Sequence, residues 1–299
     1  MIRTTPRQLA EMQRAVHADN ASRNEKVWTF LVATLLARPN TQPKLVERIC
    51  GEPLSCGGLL DIWLEAQPLP PRKGNAGESE GNTKLDVVFG HVAPRGATAG
   101  GIAYGPHRPG SWVCFIEAKC LSDCSATVSY DPLRNQVARV MENLLCFQHD
   151  GHFPERLFFT LLTPRLLQRN ESARLYGYKM CEYRNDPAAI LRDIDTCCIE
   201  KRSDPGFVYP DLSERLNVLR INWIAYEVSL PETPSPWEGL PRACDHRRQH
   251  APPRTLHARY SPSRGRARRG SDAARPDAAE WRQAVGGAKS DGQAARRSS

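Results

Sequence analysis

Two short apolar stretches carry charged residues whose types and spacing suit chemistry. Residues 84–89 hold Asp86 among apolar neighbours, and residues 112–119 end in Glu117-Ala118-Lys119. In a strand, residues two apart face the same way, so Glu117 and Lys119 project together, roughly 7 Å apart along the backbone. If the two stretches pair as a hairpin, Asp86 lies beside Glu117. Two carboxylates, completed by a backbone carbonyl and waters, make an octahedral oxygen site suited to Mg2+, with Mn2+ as a substitute. Such an ion polarises a phosphoryl oxygen and lowers the pKa of a bound water. A lysine beside that water orients it and stabilises the charge that develops at phosphorus. These are the residue types that phosphodiester hydrolysis requires. With 18 Glu and 8 Lys in 299 residues, chance alone yields about 0.5 E-x-K matches. The weight therefore lies in placement, because charges inside a sheet are costly unless paired. The competing reading is a structural Glu–Lys pair where a strand reaches solvent.

The elements that must position these residues follow from periodicity. Val27, Trp28, Leu31, Val32, Leu35 and Leu36 recur at helical spacing over residues 22–37, which Pro39 closes. A shorter helix is expected over 43–50, then a strand over 59–66 and another over 84–89, closed by Gly90. The Gly- and Pro-rich stretch 93–110 reads as a long hairpin loop. Residues 112–119 are apolar on both faces until their end, as a central strand should be. A helix is predicted over 132–147, strands over 157–162 and 218–226, and a helix over 187–194 between them. The order α, β, β, β, α, β, then α, β gives an α/β fold: a mixed sheet flanked by helices.

Asp86, a gap of 30 residues, then Glu117-Ala-Lys119, on successive strands after an N-terminal helix, resembles the PD-(D/E)XK nuclease superfamily. That superfamily includes restriction endonucleases, RecB-type nucleases and Holliday-junction resolvases. The resemblance spans residues 22–226, and its specific part is residues 84–90 and 112–123. It implies a restriction-endonuclease-like core, with Asp86 and Glu117 holding the metal and Lys119 assisting the attacking water. The customary Pro-Asp pair is absent, since Leu85 precedes Asp86. Members often carry a further metal-binding glutamate on the first helix, where Glu25 stands. Ser22-Arg-Asn-Glu25 is equally a capping box. Members also place an orienting glutamine on the helix after the third strand, where Gln136 stands. Arg139 on that helix is either a phosphate contact or part of a solvated face. Tyr130, Arg134 and Asn135 just upstream are either nucleic-acid contacts or the polar start of a helix whose Asp131-Pro132 resembles an N-cap and first turn. The implied activity is metal-dependent DNA hydrolysis, endonucleolytic, with RNA left open as a substrate; a homodimer would suit duplex cleavage. The rival is a catalytically inactive nucleic-acid-binding or protein-interaction module on the same fold.

Net charge adds little. Residues 242–299 carry 14 Lys/Arg against 5 Asp/Glu, whereas the rest carries 27 against 28, so the excess belongs to the tail. That tail is Arg, Ala, Gly, Pro and Ser with few large apolar side chains, and is expected to be disordered. It reads as a non-specific nucleic-acid arm or as an unselected extension, leaving 1–241 as the folded domain. Ten cysteines show no C-x-x-C pair, so reduced thiols are expected rather than zinc. No apolar run approaches the ~20 residues of a membrane span. The first twenty residues are polar and lack a secretory core, so a cytoplasmic location is expected. Gly96, Gly100, Gly101 and Gly105 lead into a strand rather than a helix, which removes a phosphate-loop reading. His149-Asp-Gly-His152 reads as an exposed turn, and Trp223 as core.

Overall fold

A computed structural model describes residues 1–18, 23–55, 57–73, 81–96, 98–126, 134–168 and 174–229, all within one compact unit, Met1–Gln249. The tail 242–299 therefore lies outside the described residues. The elements are β1 (Ile2–Arg3), α1 (Pro6–Val16), α2 (Glu25–Leu36), α3 (Gln42–Cys50), β2 (Ile62–Pro68), β3 (Leu85–Gly90), β4 (Val92–Pro94), β5 (Gly101–Tyr104) and β6 (Trp112–Ala118). They continue with α4 (Gln136–Leu145), β7 (Arg156–Thr163), α5 (Arg165–Gln168), α6 (Leu175–Asn185), α7 (Ala188–Asp195), α8 (Leu212–Leu216), β8 (Leu219–Ala225) and α9 (Tyr226–Ser229).

The sheet runs β4-β5-β2-β3-β6-β7-β8, with β1 beside β2. β2, β3 and β6 are antiparallel neighbours, and β7 and β8 then run parallel to β6. The connection from β6 to β7 passes through α4, because parallel strands need a crossover. The strand β6 is buried along its whole length. One face meets α4: Val113 and Phe115 join Val137, Met141, Leu144, Phe159 and Leu161 in one cluster. The other meets α2 and α3: Cys114 and Ile116 join Val32, Leu36, Val46, Ile49 and Phe158. The expected mixed sheet flanked by helices is present, and among the described residues no helix is long and apolar enough to cross a membrane.

Three regions differ from the sequence expectation. The polar N-terminus forms β1 and α1, where Thr5 and Gln8 make a reciprocal capping box and Pro6 opens the first turn. The stretch expected as a loop over 93–110 contains β5 and most of β4, an antiparallel pair; β5 extends the sheet by pairing in parallel with β2. Ile102 and Tyr104 are buried there, so two apolar side chains offset the cost of the surrounding glycines. Gly90 lies where β3 turns toward β4, at φ +112°. A Cβ there would stand 2.6 Å from the Trp112 carbonyl oxygen, so the turn requires glycine.

Between β7 and β8 the structure adds α5, α6 and α8 to α7, the one helix expected there. His149 and His152 exchange backbone hydrogen bonds across an Asp150-Gly151 turn with positive φ at both central residues. Trp223 is in the core and donates its indole N–H to Thr163. Five of the eight described cysteines are buried.

Candidate active site

The β3–β6 ladder ends with Val87 opposite Ile116, so the next step along each strand sets Asp86 across from Glu117. Asp86 accepts the Ala118 N–H at 2.8 Å, which fixes its carboxylate against the end of β6. Glu117 is 3% exposed, and its Oε1 accepts from Lys119 Nζ at 2.7 Å and from Gln136 Nε2 at 2.6 Å. Its other oxygen, Oε2, is buried and has no hydrogen-bond partner among the described residues. Lys119 is also buried, and its backbone N–H donates to the Leu162 carbonyl at 2.8 Å, holding it in line with β6. The surface ion-pair alternative does not describe this pair, because neither member reaches solvent.

Two helix starts close the site. Gln136 begins α4, and its position is set by an exchange with Ser125, whose N–H donates to Oε1 at 3.2 Å and whose carbonyl accepts the Gln136 N–H. Glu25 begins α2, where Asn24 is the N-cap. The capping-box expectation for Glu25 therefore fails: its Oε2 accepts from the Cys120 N–H and the Ser122 hydroxyl, and its Oε1 lies 3.6 Å from Lys119 Nζ. It pins the loop that follows β6 and adds negative charge beside the lysine.

The nucleic-acid contacts expected on α4 are corrected by burial. Arg134 is fully buried in an ion pair with Glu142. Asn135 is the N-cap, accepting the Ala138 N–H and donating to Asp193 at 3.0 Å. Arg139 is buried and donates to the Gly81 carbonyl at 3.0 Å. The solvated face weighed for Arg139 does not exist, since every residue from Val137 to Leu145 is buried. Tyr130 lies outside the described residues.

Electrostatics follow from three carboxylates facing one ammonium. Burial, then the Glu117 charge, pushes the Asp86 carboxyl well above the usual range, against the pull of Lys119 and the Ala118 N–H. Burial also raises Glu117, against the pull of Lys119. For Lys119 burial disfavours the charge, yet Glu117, Asp86 and Glu25 together hold the ammonium protonated above its ordinary range. Tyr226 was not singled out in the sequence. Its buried phenol has no hydrogen-bond partner among the described residues and is pushed up by burial and by the Asp86 and Glu25 charges. Its only sequence signal is an aromatic residue at the carboxyl end of a parallel strand.

A divalent cation fits this donor set at two residues. Glu117 Oε2 is a buried acceptor without a donor, Asp86 is the carboxylate across from it, and the excess negative charge favours a cation. Magnesium sites commonly use only one or two carboxylates. Among the described residues no group of three or more His, Cys, Asp or Glu is arranged to hold a metal. Glu25 is accordingly not gathered with Asp86 and Glu117 as a third ligand.

Linkage makes this testable without activity. A carboxyl raised in the fold contributes stability that is full below its unfolded pKa of about 4 and lost as pH rises through the folded value. In EDTA at pH 7, Asp86→Asn therefore raises the thermal midpoint, and the gain disappears toward pH ~4. If Asp86 belongs to a cation site, adding Mg2+ is expected to raise the midpoint of the parent protein and not of the variant. Scanning calorimetry of both proteins checks this. A variant that responds to Mg2+ as the parent does would remove Asp86 from the cation site.

Compared with protein-family models, curated proteins and solved structures, the chain matches none. What the fold and site define is an α/β protein with a mixed sheet, carrying a buried carboxylate–lysine cluster at the carboxyl end of β6.

Proposed function

We propose that this chain is a magnesium-dependent nuclease that hydrolyses DNA phosphodiester bonds endonucleolytically, on a restriction-endonuclease-like fold. The observation that carries the reading is the convergence of Asp86, Glu117 and Lys119 on neighbouring strands, with Glu117 Oε2 left unpartnered. The topology supports it: an antiparallel β2-β3-β6 meander, then α4 and the parallel strand β7.

In this reading Asp86 and Glu117 hold the ion. Bound magnesium supplies Lewis-acid stabilisation of the phosphoryl oxygens. Lys119, held charged 2.7 Å from Glu117, donates to the attacking water or to the oxygen gathering charge at phosphorus. The water oxygen forms the new bond to phosphorus as the bond to the leaving sugar oxygen breaks; the proton the water gives up passes to solvent, and the departing sugar oxygen takes one from solvent. Gln136 is a positioning residue, fixing the Glu117 carboxylate, and Glu25 fixes the loop after β6.

One feature favours the rival reading, an inactive binding module: Glu117 Oε1 is already engaged by both Lys119 and Gln136. The deciding experiment incubates the full chain and Asp86→Ala with plasmid, single-stranded DNA and RNA, in Mg2+, Mn2+ or EDTA. Cleavage is expected with either metal, absent in EDTA and lost in the variant. No cleavage by folded protein under any condition would leave the inactive module.

A further inference from the structure

The far end of α4 borders a cavity of about 310 Å3, unrelated to the carboxylate cluster. Gln136 begins the helix and Cys146, which lines the cavity, follows its end. Ten helical residues separate the two sites by about 15 Å along the axis. The volume falls at the lower end of small-molecule sites, about 300–1,000 Å3. Ile102, Phe147 and Phe207 give it apolar walls, and Arg95 and Arg202 also line it.

The two guanidiniums are in different states. Arg202 is committed: its Nε donates to the Pro70 carbonyl at 2.6 Å, its Nη1 pairs with Asp204, and its guanidinium lies over Phe207. Among the described residues the Arg95 guanidinium makes one long bond, Nη2 to the Gln67 carbonyl at 3.4 Å, and its buried Nε has no partner. The acidic lining residues do not answer it. Asp204 is taken by Lys73, at 2.8 and 3.1 Å, and by Arg202. Asp150 is exposed and faces His149 at 3.5 Å. Burial and the Arg202 charge together hold the Arg95 guanidinium below its usual pKa. A donor without an acceptor and two cations at one cavity are relieved by the same partner, an oxyanion, which a guanidinium fork engages in two parallel bonds.

We propose that this cavity binds a small organic oxyanion, a phosphate or carboxylate carried on a flat apolar body, with Arg95 on the anion and Phe147 and Phe207 against the body. This inference does not depend on the nuclease reading.

The test titrates the full chain, in EDTA, with phenyl phosphate by calorimetry and by ligand-observed NMR. Parallel titrations use benzoate, inorganic phosphate and phenol. Phenyl phosphate or benzoate is expected to bind saturably at one site, and whichever binds tighter identifies the oxyanion. Phosphate and phenol, each lacking half of the ligand, are expected to bind at least tenfold more weakly. Arg95→Gln is expected to weaken binding at least tenfold, and Phe207→Leu severalfold. Asp86→Ala is expected to leave it unchanged, which separates this cavity from the carboxylate site. Absence of saturable binding by any probe would overturn the proposal, as would equal affinity in folded Arg95→Gln. Should Arg95→Gln fail to fold, unchanged binding in Phe207→Leu would overturn it in the same way.

Discussion

Lys119→Met is expected to slow Mg2+-dependent DNA cleavage about 10²–10³-fold, the cost of removing one preorganised donor from a developing oxyanion. DNA affinity should stay within a few-fold, because a lysine 6% exposed contributes little to a docking surface. The residue is placed for this role by two constraints. Its backbone continues the pairing of β6 with β7, and its ammonium is held by Glu117 at 2.7 Å. Methionine keeps much of the volume and removes the charge. A second effect separates loss of a donor from loss of packing. Lys119 lowers the Glu117 carboxyl pKa against burial. Without it, that carboxyl titrates at still higher pH, and the acid limb of the pH–rate profile moves upward. Single-turnover cleavage across pH and fluorescence anisotropy with labelled duplex measure the two quantities. Unchanged cleavage would end the case for Lys119, and slower cleavage with an unmoved acid limb would reduce it to packing.

The carboxylate–lysine cluster was legible because it sits where sequence patterns are loudest. Asp86 interrupts an apolar strand and Glu117-Ala-Lys119 ends another, so alternation in a strand already puts Glu117 and Lys119 on one face. The antiparallel register then brings Asp86 to them. The strands β2, β3, β6, β7 and β8 and the helices α2, α3, α4 and α7 were readable from apolar spacing for the same reason. The α1 capping box was present in Thr5 and Gln8, but only Met12 of that helix is buried, so apolar periodicity does not reveal it. The strand β5 was hidden because glycine and proline dominate its surroundings, while its four buried residues are too few for a period.

The residues around Gln136 were misread for a deeper reason. The spacing in α4 announces one apolar face and leaves Arg139, Glu142 and Asn143 for solvent. In the structure α7 and α8 pack against α4, and its polar side is met by the Gly81 carbonyl at Arg139, by Thr83 at Asn143, and by Arg72 and Tyr209 at Glu142. A helix clasped between a sheet and other helices buries its polar side as well. Its charges then need partners from distant parts of the chain, such as Arg72, which no local pattern can supply. The same limit applies to Glu25. Local spacing offered a cap, whereas its partners are Cys120 and Ser122, nearly a hundred residues away.

That buried polar side predicts a large loss of stability on mutation. Glu142 is fully buried and meets Arg72 Nε at 2.6 Å, Arg134, and the Tyr209 hydroxyl. Glu142→Ala leaves two buried guanidiniums facing each other without the carboxylate between them. Breaking a buried pair from one side costs about 3–5 kcal/mol, because the remaining charge cannot regain its hydration. For a domain of this size the thermal midpoint should fall by about 6–20 °C. Arg72 keeps bonds to the Ile194 and Ile199 carbonyls, which places the loss nearer the lower end. The site should feel it as well. Arg134 immediately precedes Asn135 and Gln136, so loosening its anchor releases the start of α4 and with it the hold on Glu117 Oε1. Glu142→Gln keeps an acceptor for one arginine and is expected to lose about half as much. Urea unfolding of the three proteins, with cleavage measured far below the midpoint, tests both parts. A midpoint unchanged in Glu142→Ala would mean that the two arginines find water. A lower midpoint with full cleavage would confine Glu142 to the core and uncouple it from Gln136.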